Sequence, residues 1–145
     1  MPLSGHKSIK IKENDSMLVN GIHHVCIKCT KDKIVEVKKF YNEILGLPIL
    51  RSWGQPELVG FMLDTGDGII EVFTNVEDEL PQGAIRHFAF KTEDVEKCVE
   101  AVRKAGYEIT VEPKDVVIPS DPAFPVHVAF CIGPVGEEIE FFKEM

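Results

Sequence analysis

Hydrophobic and polar residues follow two patterns along the chain, one typical of strands and one typical of helices. From Gly21, the stretch GIHHVCIK reads as a largely apolar strand that carries two histidines. Residues 31–49 carry apolar side chains at helical spacing, which predicts an amphipathic helix that ends near Gly46 and Pro48. The stretches ILRSW, VGFMLD and GIIEVF then predict two or three strands, because the turn sequences GQPE and TGDG separate them.

The same order of elements begins again after the loop at residues 74–83. The stretch AIRHFAFK predicts a strand, and the following helix begins near Thr92 and ends at Gly106. The stretches YEITVEP, VHVAFCI and EEIEFF predict three more strands. We therefore predict an α+β protein built from two tandem βαβββ modules.

Length and composition fit one globular domain. The chain has 145 residues, of which 44% are hydrophobic, and this is enough to bury a core. We place the domain at residues 21–145, with module 1 at about 21–80 and module 2 at about 81–145. Residues 1–20 are polar and show no sustained period, so we expect a loose N-terminal arm there.

The net charge of the chain limits the kinds of partner that it is expected to bind. A formal net charge of -8 and a pI near 5.1 argue against nucleic acid or an anionic membrane, because both attract basic surfaces. The sequence has no apolar run long enough to cross a bilayer and no recognisable export leader. The expectation is a soluble cytoplasmic protein that binds a small molecule.

The four cysteines are too few for a disulfide scaffold and lie in apolar segments. Cys26 and Cys29 form a CxxC pair, which raises the possibility of zinc binding or redox chemistry. Positions three apart on a strand point to opposite faces, so these two thiols are expected to be structural.

The repeat is visible in the residues as well as in the order of elements. GIHHVCIK and AIRHFAFK share a frame in which His24 corresponds to His87, and IEVF and IEFF place Glu71 on Glu140. The histidine offset is 87 minus 24, or 63, and the glutamate offset is 140 minus 71, or 69. This difference predicts a loop insertion in the second module.

These four polar residues lie in strands where a polar group is costly. Glu71, for example, lies between Ile70 and Val72, and an unpaired buried carboxylate would cost several kcal/mol. One strand histidine is more often a satisfied core or surface group, but four such residues at symmetric places favour a divalent cation. His23 corresponds to Arg86 and is expected to be a structural or surface residue.

The stretches HHVCI, FYNEILGLPIL, IIEVFTN, RHFAF and GEEIEFF make residues 21–145 resemble the vicinal oxygen chelate superfamily. That superfamily includes glyoxalase I, methylmalonyl-CoA epimerase, extradiol dioxygenases and bleomycin-binding proteins. The resemblance implies two modules whose curved mixed sheets enclose a metal cleft, usually completed in a homodimer. The set of ligands is similar to that of bacterial glyoxalase I: His24, Glu71, His87 and Glu140.

The resemblance to glyoxalase I implies a metal-dependent lyase. Such an enzyme converts the hemithioacetal of a 2-oxoaldehyde and a thiol into a 2-hydroxyacyl thioester by proton transfer through an enediolate. The implied cofactor is one divalent ion, with Ni²⁺ or Zn²⁺ preferred over Co²⁺, Mn²⁺ or Fe²⁺. Glu140 is our first choice as the catalytic base, with Glu71 handling the proton on the other face.

Other residues are candidates for substrate binding. Asn75 matches an asparagine that glyoxalases use on glutathione, and Lys28 stands where the family has an arginine that holds the glutathione carboxylate. A lysine keeps the positive charge but cannot make the two parallel hydrogen bonds that an arginine makes to a carboxylate. His127 is a candidate pocket residue, and Arg51 and Trp53 are candidates to hold an anionic or apolar portion of the substrate.

Two other functions stay open from the sequence. One is an epimerase that acts on an acyl-CoA such as methylmalonyl-CoA. The other is a protein of this fold that binds a small molecule without catalysis.

Overall fold

A computed structural model describes Leu18 and residues 21–55 and 58–145. The described part contains two four-stranded mixed sheets, each with the strand order that a βαβββ module produces. The predicted α+β fold with two tandem modules is thereby confirmed. Apart from Leu18, the arm predicted at residues 1–20 lies outside the described residues.

Module 1 forms the first sheet, in the order β1-β4-β3-β2. Its strand β1 runs parallel to β4, and the other neighbours are antiparallel. The bounds are β1 His24–Lys28, α1 Ile34–Lys38, β2 Ile49–Gln55, β3 Leu58–Asp64 and β4 Ile69–Phe73.

Module 2 repeats this arrangement in the order β5-β8-β7-β6, with β5 parallel to β8. The bounds are β5 His87–Lys91, α2 Val95–Lys104, β6 Ile109–Ile118, β7 Phe124–Ile132 and β8 Glu138–Glu144. Strands β6 and β7 have 10 and 9 residues, whereas β2 and β3 have 7 each. The extra length that the unequal offsets predict therefore lies in the β6–β7 hairpin.

The helix predicted in module 1 is divided into three parts. A 3-10 turn at Lys31–Lys33 leads into α1, and a π-helix at Lys39–Ile44 follows it. The Leu45 N–H donates to the Phe40 carbonyl over five residues, at 3.0 Å. The wider π turn lets the adjacent residues Phe40 and Tyr41 both be fully buried, which a regular α-turn achieves less readily.

The helix of module 2 is regular. The Asp94 side chain accepts a hydrogen bond from the Lys97 N–H at 3.0 Å and so caps its N-terminus. Gly106, with a φ of +97°, follows its C-terminus, as the sequence predicts. The buried residues Val95, Val99 and Val102 form its core-facing stripe.

Each sheet has one face that packs on helices and one open face, and the two helix-bearing faces share one core. Phe40 of module 1 contacts Tyr107 of module 2, with ring centroids 4.8 Å apart. The buried Tyr41 hydroxyl donates to a carboxylate oxygen of Glu137 at 2.6 Å. The modules of one chain therefore associate through their helix-bearing sides.

No helix among the described residues combines the length and the apolar character needed to cross a membrane.

Candidate functional site

The first predicted pair of ligands meets on the open face of sheet 1. The imidazole Nε2 of His24 lies 3.3 Å from Glu71 Oε1. The two side chains lie on neighbouring parallel strands, because His24 pairs with Ile69 and Cys26 pairs with Glu71. Alternation along each strand then puts both polar groups on the face away from the helix.

The second pair repeats this geometry on sheet 2. His87 Nε2 lies 3.2 Å from Glu140 Oε1, and the register again pairs His87 with the residue two positions before the glutamate. Both imidazoles are about equally accessible, with 38% and 40% of the side chain exposed, and both carboxylates are 12% exposed. The repeat seen in the sequence is therefore a repeat of the local site geometry.

The two pairs do not join into one cluster in the single chain. Within the described part of the chain, no group of three or more His, Cys, Asp or Glu side chains is placed to hold a metal ion. This follows from the packing of the modules, since the helix-bearing faces meet and the faces that carry the pairs are open. The chain thus presents two separate His–Glu pairs.

The substrate-binding candidates of module 1 lie close to the first pair. Lys28 is exposed and follows His24 by four residues on the same face of β1. Arg51 lies in the same row of paired residues as Glu71, with Met62 between them, and its Nη1 is 3.2 Å from the Met62 sulfur. Asn75 is exposed just beyond the end of β4.

His127 lies elsewhere. It shares a face of β7 with the buried residues Ala129 and Cys131, on the side that packs against α2. Its ring nitrogens lie 2.6 Å from Glu96 Oε2 and 2.7 Å from Asp115 Oδ1. The hydrogen bonds that the His127 ring donates to these two carboxylates raise the pKa of His127. The structure thus separates His127 from the open face that carries His87 and Glu140.

Three further residues lie beside the pairs, and the sequence had given none of them a role in the site. His23 Nδ1 lies 3.0 Å from His24 Nδ1, so the neighbouring imidazole orients this ligand candidate. Phe130 contacts His87 edge to face, with centroids 5.3 Å apart. Cys26 faces Glu71 across the strands, a position that alternation from His24 already indicates.

The carboxylates of the site are in a partly dehydrated environment. Burial raises the pKa of Glu140, and the contact with His87 partly opposes this. Burial and the nearby Glu71 raise the pKa of the Cys26 thiol. Cys29 is buried on the other side of the sheet, so the two CxxC thiols do not share a site, as alternation predicts.

The sequence of this fold matches one family. The model of the Glyoxalase/Bleomycin resistance protein/Dioxygenase superfamily matches residues 21–141. The chain belongs to this superfamily.

The curated relatives match this chain at modest sequence identity. The lactoylglutathione lyase of Arabidopsis thaliana is 34% identical over 93 residues, which cover 59% of this chain and 32% of that protein. The chain spans about a third of the length of the curated relatives it matches.

Solved structures share the fold. The trypanothione-dependent glyoxalase I of Leishmania major has a TM-score of 0.66 and 26% identity, and the match covers 86% of this chain and 87% of that chain. The antibiotic-binding protein TnmS3 from Streptomyces sp. CB03234 also has a TM-score of 0.66, with 17% identity over 89% of this chain and 99% of its own. The fold alone therefore does not distinguish an enzyme from a binding protein.

Proposed function

We propose that the protein is a metal-dependent lyase of the glyoxalase I type, acting on the hemithioacetal of a 2-oxoaldehyde and a thiol. The observation that carries this proposal is the pair of His–Glu contacts at the same register on the open faces of the two sheets. The relatives named lactoylglutathione lyase support the reaction class.

The donor set fits a divalent transition metal. Imidazole nitrogen with carboxylate oxygen suits Ni²⁺, Zn²⁺ or a similar ion, and each imidazole is accessible while its carboxylate is held nearby. Two protein donors are fewer than the three or four that such sites usually have. We therefore infer that each His–Glu pair is half of a site.

A homodimer would join the halves. Because the modules of one chain pack through their helix-bearing sides, His24 and Glu71 of one chain are available to meet the second pair of another chain. Large apolar residues also lie exposed two positions before each histidine, since Ile22 is 78% and Ile85 is 86% exposed. Such symmetric apolar surface favours association of two copies.

The chemistry proposed is proton transfer between neighbouring carbons. A bound cation would act as a Lewis acid and so increase the acidity of the C–H next to the carbonyl. Glu140 accepts the proton, because burial raises the pKa of its carboxylate and makes it a stronger base than an exposed glutamate. Glu71, in the other His–Glu pair, would take the hydroxyl proton of the hemithioacetal and deliver it to the neighbouring carbon. The proton on Glu140 would then pass to the oxygen on that carbon, which restores both carboxylates.

The charged groups beside the first pair would hold the thiol carrier. Lys28 makes no ion pair among the residues that the structure describes, so its ammonium is available for a carboxylate of the carrier. Arg51 and Asn75 extend this polar border of the cleft. His127 has no part in this proposal, because it lies on the helix-bearing face.

Mixing two inactive variants tests the shared site. His24→Ala and His87→Ala proteins are each expected to lose metal and activity. A mixed dimer of the two has one site with both histidines intact, so refolding them together should restore about a quarter of the wild-type metal content, since half of the dimers are mixed. If the site forms within one chain, mixing restores nothing.

The substrate is tested with the metal-loaded wild-type protein. Methylglyoxal adducts of glutathione and of other cellular thiols should be converted to 2-hydroxyacyl thioesters. Racemic 2-methylmalonyl-CoA is assayed beside them. Epimerisation of the CoA ester without reaction of any adduct would replace the lyase proposal by an epimerase.

A further inference from the structure

An aromatic pair lies on the open face of sheet 1, close to the first His–Glu pair. The rings of Trp53 and Phe73 have centroids 5.1 Å apart and planes inclined at 51°. Phe73 follows Glu71 by two residues on β4, which places the two on the same face about 7 Å apart. Both rings are partly exposed, so their apolar surface is accessible from the cleft.

Gly60 permits this arrangement of the rings. It pairs with Phe73 on one side and with Trp53 on the other, and it is buried beneath them. A Cβ at Gly60 would lie 3.0 Å from Trp53 Nε1, 3.1 Å from Phe73 Cδ1 and 2.6 Å from the Val72 carbonyl oxygen. The two rings therefore lie over bare backbone and together form a broad apolar surface.

Module 2 has a different aromatic pair, in which Phe142 contacts Phe124 with ring centroids 6.0 Å apart. In module 1 the row of paired residues is Lys28, Phe73, Gly60 and Trp53, and in module 2 it is Lys91, Phe142, Val128 and Lys114. The lysine and the phenylalanine repeat, whereas glycine and tryptophan are replaced by valine and lysine. The repeat is thus broken at the two residues that place a tryptophan ring beside the phenylalanine in module 1.

We propose that Trp53 and Phe73 form a subsite for a planar aromatic group on the carbonyl-bearing part of the substrate. This inference rests on the proposed function for the position of the reacting oxygens, which would lie at the His24–Glu71 pair. Aromatic rings prefer offset or edge-to-face contacts at the separation that this inclined pair offers. The substrate class is accordingly an aryl-substituted 2-oxoaldehyde adduct rather than the methyl-substituted one.

A comparison of two hydroxamates isolates the contribution of the ligand's phenyl ring to binding. Benzohydroxamate and acetohydroxamate present the same two neighbouring oxygens to a metal and differ in phenyl against methyl. Trp53 is the only tryptophan of the chain, so its indole N–H gives one identifiable NMR signal. With zinc-loaded protein, benzohydroxamate should bind about tenfold more tightly and shift this signal, while acetohydroxamate leaves it unchanged.

Variants test which residues supply the preference. Trp53→Leu or Phe73→Leu should abolish the preference for the phenyl compound and leave the affinity for acetohydroxamate unchanged. Leu50→Ala, which removes another exposed apolar side chain from β2, is the control and should preserve the preference. Equal binding of both hydroxamates to the wild-type protein, with an unchanged indole signal, would overturn the subsite.

A metal-free arm separates this inference from the proposed function. If the protein takes up no zinc, or if neither hydroxamate binds the zinc-loaded protein, the proposed function fails. Benzyl alcohol is then titrated into metal-free protein. A saturable shift of the indole signal would support the aromatic subsite, whereas an unchanged signal would reject it as well.

Discussion

The two modules have the same fold but differ beside their His–Glu pairs. Each contributes one histidine and one glutamate at the same register, with nitrogen-to-oxygen distances of 3.3 and 3.2 Å. Beside these pairs, module 1 has Cys26 and the imidazole of His23, whereas module 2 has Ala89 and the ring of Phe130. The His–Glu pair is thus the part of this face that repeats between the modules, whereas the side chains around it differ.

The largest expected difference between the modules is catalytic. Glu140→Gln keeps an oxygen donor but removes the proposed base, so turnover should fall by about two to four orders of magnitude with much of the metal retained. Metal content and kcat of the purified variant measure this. Glu71→Gln is the matched change in module 1, and a greater loss of turnover in that variant would reverse the roles of the two glutamates.

A methyl group at Gly60 tests the crowded row of module 1. Gly60→Ala places a Cβ against the Val72 carbonyl and both rings, and should destabilise the protein by about 1 to 3 kcal/mol in urea denaturation. Gly54→Ala, on the neighbouring strand, is the control because a Cβ there meets nothing within 4 Å. Equal effects of the two changes would show that the rings adjust without cost.

The contact that joins the modules is tested at Tyr41. Tyr41→Phe removes the donor to the buried Glu137 carboxylate and should lower the free energy of unfolding by about 1 to 2 kcal/mol. Tyr107→Phe is the control, because its hydroxyl contacts Glu36 at an exposed position. Urea denaturation measures the free energy of unfolding of both variants. A greater loss for Tyr107→Phe would show that the Tyr41–Glu137 hydrogen bond is not the more stabilising of the two contacts.

The smallest expected effect is a change in the pH dependence of stability, and it arises in module 2. Hydrogen bonds to Glu96 and Asp115 raise the pKa of His127, so the native state binds its proton more tightly than the unfolded state does. The stabilisation is full below the unfolded pKa of about 6.5 and is lost as the pH rises through the higher native pKa.

In the repeat, His127 corresponds to Val59, because Val128 corresponds to Gly60. The variant His127→Val therefore gives module 2 the residue that module 1 has at this position. This variant should show a weaker fall in stability between about pH 6 and pH 8. Urea denaturation across that range measures the slope. An unchanged slope would assign the pH dependence to other groups, such as Glu137, whose pKa burial also raises.

The sequence by itself determined the order of elements and which residues share a strand face. Alternation with period two is a local property of the backbone, so the repeat could separate His24 from His23 and single out four ligand candidates. The contact of His24 with Glu71 depends on the register between β1 and β4, which the sequence did not predict. The sequence did not reveal the π-helix, because its wider turn depends on burying Phe40 and Tyr41 together against the other module. It also did not predict that His127 lies on the helix-bearing face, because its partner Glu96 belongs to a helix 31 residues away in the chain.

Only the tertiary structure decided that the two His–Glu pairs stay apart in one chain. Their relative position depends on how the modules pack, which is set by long-range contacts such as Tyr41 with Glu137 and Phe40 with Tyr107. No local period encodes such contacts, because each joins residues far apart in sequence through the shape of a shared core. The repeat could therefore name four ligand candidates, whereas the packing showed that one chain presents them as two separate pairs.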